Sequence, residues 1–248
     1  MKRVSERLIC ALDVDDPGRA KELVGALDGV IDFFKVGMVL QLVGGTEMVQ
    51  WLLKNGKQVF LDMKYFDVPE TVEKVVAQVA KLGVSFLTIH GNGQIIEGAV
   101  KGRGNSNLKL LAVTVLTSLD AADILEMGFN CPVEDLVLAR AKKSVQSGCD
   151  GVIASGFEAG LLRKELGTKL LIVTPGIRHA GSKPDSHKRA VTPKEAIEAG
   201  ADYIVVGRPV IQAPDPREAA LKIAEEIINP TSFPPCLLYT SPSPRDRG

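Results

Sequence analysis

The stretch Leu-Asp-Met-Lys-Tyr-Phe-Asp-Val-Pro-Glu-Thr, residues 61–71, sets Asp62, Lys64 and Asp67 within six residues, directly after the apolar run Val59-Phe60-Leu61. Charges of both signs at the end of a buried strand cost free energy unless they are paired or used. An amine flanked by carboxylates is suited to act as a fixed cation and proton donor. The competing reading is an ordinary salt bridge beside a helix start. Asp67-Val68-Pro69-Glu70 fits a capping box ahead of a helix opening at Pro69. The residues alone leave both readings open.

Such an array needs a scaffold that brings strand ends together. Apolar runs recur at 7–13, 31–37, 58–64, 85–91, 108–118, 151–156, 169–176 and 202–209. They are continuous rather than alternating, as expected of parallel strands covered on both faces. Helical patterns separate them. "PETVEKVVAQVAKLG" sets Val72, Val75, Val76, Val79, Ala80 and Leu82 on one side and ends at Gly83. Thr192-Pro193-Lys194-Glu195 is a capping box with proline at the first helical position, and Gly200 closes that helix. Asp215-Pro216-Arg217-Glu218 repeats the signature. Eight strand-like runs alternating with helices predict a single-domain α/β protein, a (β/α)8 TIM barrel; a doubly wound open sheet is the alternative.

In barrels of this kind chemistry sits at the C-terminal ends of the strands. There the chain carries Asp13, Lys35, Asp62 with Lys64, His90, Thr117 with Ser118, Ser155, Pro175-Gly176 with Arg178, and Gly207-Arg208. Each has a plain reading by itself: Asp13 a loop cap, Lys35 a structural partner of Asp62, His90 a satisfied core histidine. Their accumulation points to a site. The seventh run leads into a long loop with Arg178, Lys183, Lys188 and Arg189, and the eighth into Val-Val-Gly-Arg-Pro-Val, residues 205–210. Loops after strands seven and eight form the recurrent phosphate site of such barrels, so a phosphorylated small molecule is expected.

Composition narrows the partners. The chain has 248 residues, 45% hydrophobic, with 30 Lys+Arg against 30 Asp+Glu. No global field therefore recruits nucleic acid or an anionic membrane. Cys10, Cys131, Cys149 and Cys236 show neither zinc spacing nor a disulfide framework. No apolar run approaches the roughly 18 residues of a membrane span, and no signal-peptide core follows Met1. A cytoplasmic protein is expected. Residues 1–229 are read as the barrel domain. Residues 230–248, rich in Pro and Ser and without periodicity, are read as a disordered, non-native tail.

From about residue 6 to 228 the chain resembles the orotidine 5′-monophosphate decarboxylase family. The most specific element is D-x-K-x-x-D-[IV]-P-x-T, filled by Asp62, Lys64, Asp67, Val68, Pro69 and Thr71. "ALDV", "FKVG", "VTVLTS", "TPGIR" and "VVGRPV" are similar to family motifs in the family's order. Barrel relatives acting on sugar phosphates share the strand-three element but carry a Glu on strand two that helps hold Mg²⁺; here Lys35 stands there, and a cation repels the metal.

The resemblance implies cofactor-free decarboxylation of orotidine 5′-monophosphate to UMP, in a homodimer whose active sites are shared. Lys64 would protonate C6, with Asp62, Asp67 and Lys35 completing the catalytic array. Asp13 and Lys35 would hold ribose hydroxyls, and Thr117 with Ser118 the pyrimidine edge. Arg178, Gly207 and Arg208 would hold phosphate, and Asp67 and Thr71 would reach into the partner's site. Where the family commonly has Gln in the seventh loop this chain has His187, a further phosphate donor. A metal-dependent sugar-phosphate enzyme and a non-catalytic nucleotide-binding barrel are the alternatives.

Overall fold

The computed structural model describes residues 6–178 and 191–228. Eight strands, β1 (Leu8–Ala11), β2 (Phe33–Gly37), β3 (Gln58–Tyr65), β4 (Phe86–His90), β5 (Lys109–Val113), β6 (Gly151–Ile153), β7 (Leu171–Thr174) and β8 (Tyr203–Val206), close into a barrel in sequence order. All neighbours are parallel, and β8 returns to β1 with Ile204 beside Leu8 and Val206 beside Cys10. That pairing excludes the open-sheet alternative. The connections hold α1 (Pro17–Ala26), α2 (Met38–Lys54), α3 (Pro69–Leu82), α4 (Gly93–Arg103), α5 (Ala121–Glu126), α6 (Val133–Gln146), α7 (Gly156–Leu166) and α8 (Pro193–Glu198). After β8 come α9 (Arg208–Ile211) and α10 (Pro216–Ile228). Among the described residues no helix is long and apolar enough to cross a membrane. The tail at 230–248 lies outside the described residues.

The continuous apolar runs are explained by two cores. Leu8, Cys10, Phe34, Val36, Leu87, Ile172 and Ile204 are buried in one cluster with the apolar faces of the helices. Their neighbours Ile9, Phe33, Phe60, Phe86, Val173 and Val205 fill the barrel interior. The alternation follows from successive strand side chains pointing to opposite faces. Aromatic rings dominate the inner floor, with Phe33 and Phe86 at 4.9 Å between centroids and Phe86 edge-on to Tyr203 at 5.1 Å.

All strands but β3 are shorter than their apolar runs. The run at 108–118 keeps strand geometry only to Val113. Beyond it the Thr114 hydroxyl donates to the Ile153 carbonyl at 2.9 Å, and Arg140 Nη1 donates to the Thr114 carbonyl at 2.5 Å. These contacts turn the chain over the barrel mouth. "VVGRPV" is likewise more than a loop, since Arg208 opens the short helix α9 behind its N-cap Gly207.

Helix starts follow the sequence at Thr192, whose hydroxyl accepts from Glu195 N while the Glu195 carboxylate accepts from Thr192 N. Asp215 Oδ1 accepts from Glu218 N at 3.0 Å, and Gly83, at φ 83°, closes α3. The box expected at Asp67-Val68-Pro69-Glu70 does not form. The N-cap of α3 is Val68, without a side-chain cap, and Asp67 Oδ1 accepts from Val68 N at 2.7 Å. Asp67 stands one residue before the cap position, so its carboxylate takes the N–H of the cap residue itself.

Helix α4 lies directly on the first turns of α3. A Cβ on Gly98 would stand 2.5 Å from the Pro69 carbonyl oxygen, and one on Gly102 would overlap the Glu73 carbonyl. Backbone cannot yield as a flexible side chain does. Gly98→Ala is therefore expected to destabilise the protein by about 1–3 kcal/mol, measured by urea unfolding. An unchanged midpoint and slope would show that α4 shifts freely.

Candidate active site

At the C-terminal mouth of the barrel, a cavity of about 400 Å³ is lined by Asp13, Lys35, Asp62, Lys64, Thr117, Ser118, Arg178, Gly207 and Arg208. Strand period explains the placement. Lys35 follows Phe33 by two residues, Asp62 follows Phe60 and Thr88 follows Phe86, so each polar side chain stands one layer above an aromatic ring.

The charges form one connected array. Lys35 Nζ lies 2.9 Å from Asp13 Oδ1 and 3.3 Å from Asp62 Oδ2. Lys64 Nζ lies 2.8 Å from the same Asp62 oxygen. Lys35 and Asp62 are each 9% exposed. Burial opposes the Lys35 ammonium, but the charges of Asp62 and Asp13 outweigh it and hold Lys35 above its ordinary pKa. Burial also works against an ionised Asp62, yet Lys35 and Lys64 hold its carboxyl below the ordinary carboxylate value. Both groups are thus charged near neutral pH.

The backbone at Lys64 is unusual. Its φ is 49°, and among the described residues it is the sole non-glycine residue with positive φ. The β3–β4 register shifts between Leu61 and Tyr65. Instead of continuing the ladder, Lys64 N donates to Thr88 Oγ1 at 2.9 Å, and that hydroxyl donates to Asp62 Oδ1 at 2.8 Å. Sequence reading passed over Thr88 because it sits inside an apolar run; a lone Thr two residues before the polar strand end was the available signal.

The other expected residues divide clearly. Thr117 is buried and Ser118 exposed, both on the turn after β5. Arg178 Nη1 donates to the Ile177 carbonyl at 2.7 Å. Asp67 and Thr71 are exposed and are absent from this cavity's lining. His187 lies outside the described residues. His90 faces a different cavity, with Phe66 and Arg140. Its ring meets Phe66 edge-on at 4.9 Å, and burial, then Arg140 and Lys64, lower its pKa. Ser155 is fully buried, its hydroxyl bonded to the Glu158 carboxylate.

The depressed Asp62 carboxyl links stability to pH. A carboxyl held below its unfolded value stabilises the fold above that value, about 3.9, and the contribution fades as pH falls through the folded value. Asp62→Asn mimics the protonated acid. Wild type is therefore expected to exceed Asp62→Asn in unfolding free energy at pH 7, with the gap closing below about pH 4. A gap of constant size from pH 7 to pH 3 would separate Asp62 from this linkage.

A family model described as "Orotidine 5'-phosphate decarboxylase / HUMPS family" matches residues 6–223. A protein of Nitrobacter winogradskyi named orotidine 5'-phosphate decarboxylase is 53% identical over 222 residues, covering 90% of this chain and 92% of that one. A protein of the same name from Methylococcus capsulatus is 49% identical over 226 residues, covering 90% and 93%. The crystal structure of orotidine 5'-phosphate decarboxylase from Lactobacillus acidophilus matches with a TM-score of 0.79 at 38% identity, covering 90% of this chain and 99% of that one. The chain belongs to the orotidine 5'-phosphate decarboxylase / HUMPS family.

Proposed function

We propose that the chain converts orotidine 5′-monophosphate to UMP without a cofactor, Lys64 delivering the proton to C6. Family membership and relatives at 53% and 49% identity make it a carboxy-lyase of pyrimidine biosynthesis. The observation that carries the finer reading is Lys64 Nζ, held 2.8 Å from Asp62 Oδ2 in the cavity that also presents Thr117, Arg178 and Arg208.

The reaction leaves an electron pair in the plane of the pyrimidine ring, where the ring carbonyls cannot delocalise it. A preorganised cation at C6 offsets that charge, and its N–H then supplies the proton. As the C6–carboxylate bond breaks, CO₂ departs and the bonding pair stays on C6. It takes a proton from Lys64, whose amine regains one from water. Asp62, kept ionised by its two lysines, opposes the substrate carboxylate but not neutral CO₂. Arg178, the Gly207 backbone N–H and Arg208 suit the phosphate; Asp13 and Lys35 suit ribose hydroxyls, and Thr117 with Ser118 the pyrimidine edge. Phosphate binding far from C6 orients the ring, which supports turnover as well as affinity.

Lys35 also favours this chemistry over a metal-dependent sugar-phosphate reaction. Its ammonium lies 2.9 Å from Asp13 and 3.3 Å from Asp62, and it neutralises the carboxylates a divalent cation would require. Purified protein is expected to consume orotidine 5′-monophosphate, followed by absorbance, after exhaustive chelation. Activity lost on chelation and restored by Mg²⁺ would overturn the metal-free reading.

A homodimer with shared sites accounts for Asp67 and Thr71. Both are exposed and lie beside Phe66 and Val68, 69% and 58% exposed, while Met38 and Leu42 expose further apolar surface at 62% and 87%. Exposed apolar side chains of this size suit cover by a second copy. Lys64→Ala homodimers are expected to be nearly inactive and Asp67→Ala homodimers strongly impaired. Mixing them under subunit exchange should restore about one working site per heterodimer, because one site pairs the intact Lys64 with the intact Asp67. Verified exchange without recovered activity would return Asp67 to its own chain.

A further inference from the structure

We infer that Thr88 is a positioning residue for the reacting pair: its single hydroxyl sets both the orientation of the Asp62 carboxylate and the left-handed backbone that aims Lys64. The inference rests on the decarboxylase reading for its kinetic consequence, though not for its geometry.

Thr88 is fully buried on β4 and never reaches the cavity lining. Its Oγ1 accepts from Lys64 N at 2.9 Å and donates to Asp62 Oδ1 at 2.8 Å. Asp62 Oδ2 is thereby left to Lys64 and Lys35, at 2.8 and 3.3 Å. The second bond faces a backbone that does not hold itself in place. An L-residue at φ 49° lies in a sparsely populated region and persists only where surroundings over-determine it. Here the surroundings supply one polar partner for the displaced N–H, at the point where the β3–β4 register shifts. Both bonds converge on one oxygen, so the hydroxyl couples the carboxylate to the amine's backbone. Leucine or valine at this position would fill the space and lose the coupling, leaving a buried N–H and a carboxylate oxygen unpaired.

The test compares full-length wild type, Thr88→Val and Thr88→Ser by initial rates with orotidine 5′-monophosphate and by thermal unfolding. Valine keeps the branch and volume but can neither donate nor accept; serine keeps the hydroxyl alone. Thr88→Val is expected to lower kcat about ten- to a hundredfold with KM within about threefold, and Thr88→Ser to recover kcat to within about threefold. A purely structural hydroxyl would lower the melting temperature without that split. Wild-type kcat in Thr88→Val overturns the inference, as does a serine variant as slow as the valine one. Should Thr88→Val fail to fold, Thr88→Cys serves in its place, since a thiol is only a weak donor and acceptor; wild-type kcat there overturns the inference equally. If wild type itself leaves the nucleotide unchanged, the decarboxylase reading falls while positioning is still read crystallographically. In the valine or cysteine variant, Lys64 should leave φ near 49° and its Nζ should move beyond 2.8 Å from Asp62. Both values unchanged would overturn it.

Discussion

The carboxylate of Asp62 is the constraint around which the mouth of the barrel is arranged. One oxygen receives two ammonium groups, Lys64 at 2.8 Å and Lys35 at 3.3 Å, and the other receives the Thr88 hydroxyl. A carboxylate this buried is tolerable only when it is paired and hydrogen-bonded. Asp13 completes the set by taking Lys35 at 2.9 Å, so two acids and two bases balance. The balance pairs each charge of the array with an opposite one. Removing Asp62 would take a shared partner from both Lys35 and Lys64.

The scaffold beneath makes that arrangement affordable. On β2, β3 and β4 an aromatic residue precedes the polar one by two positions: Phe33 and Lys35, Phe60 and Asp62, Phe86 and Thr88. The rings touch: the centroids of Phe33, Phe60 and Tyr203 all lie within 5.9 Å of Phe86, and Phe33 meets Tyr203 at 6.0 Å. They seal the floor against water from below. Low polarity beneath raises the strength of the interactions in the layer above it.

Much of this was legible in the residues. Eight continuous apolar runs implied both the parallel strands and their double burial, and the boxes at Thr192 and Asp215 marked real helix starts. The spacing of Asp62 and Lys64 placed both on one strand end. Two features were not legible for physical reasons. Thr88 is hydrogen-bonded through tertiary contacts only, and its one signal in "FLTIH", a lone Thr two residues before the polar strand end, is one a β-branched core residue gives equally. Asp67 satisfied the sequence rule for a cap, but capping depends on which residue leaves helical dihedrals first. Val68 does so, ahead of Pro69.

Closure of the sheet, finally, is what makes one site out of two sets of residues. The charged array comes from β1, β2 and β3, whereas Gly207 and Arg208 follow β8. In an open sheet in this order, β1 and β8 would stand about 34 Å apart at the usual interstrand spacing. In the barrel they are hydrogen-bonded neighbours, and a Cβ on Gly207 would lie 3.5 Å from Asp13 Oδ2. The cavity at the mouth therefore reaches from the third strand to the last. A Cβ at Gly207 would sit at ordinary van der Waals distance from Asp13 and Ala11, so the residue after β8 packs directly against the chain that leaves β1. The two halves of the cavity are joined through the pairing of the first strand with the last.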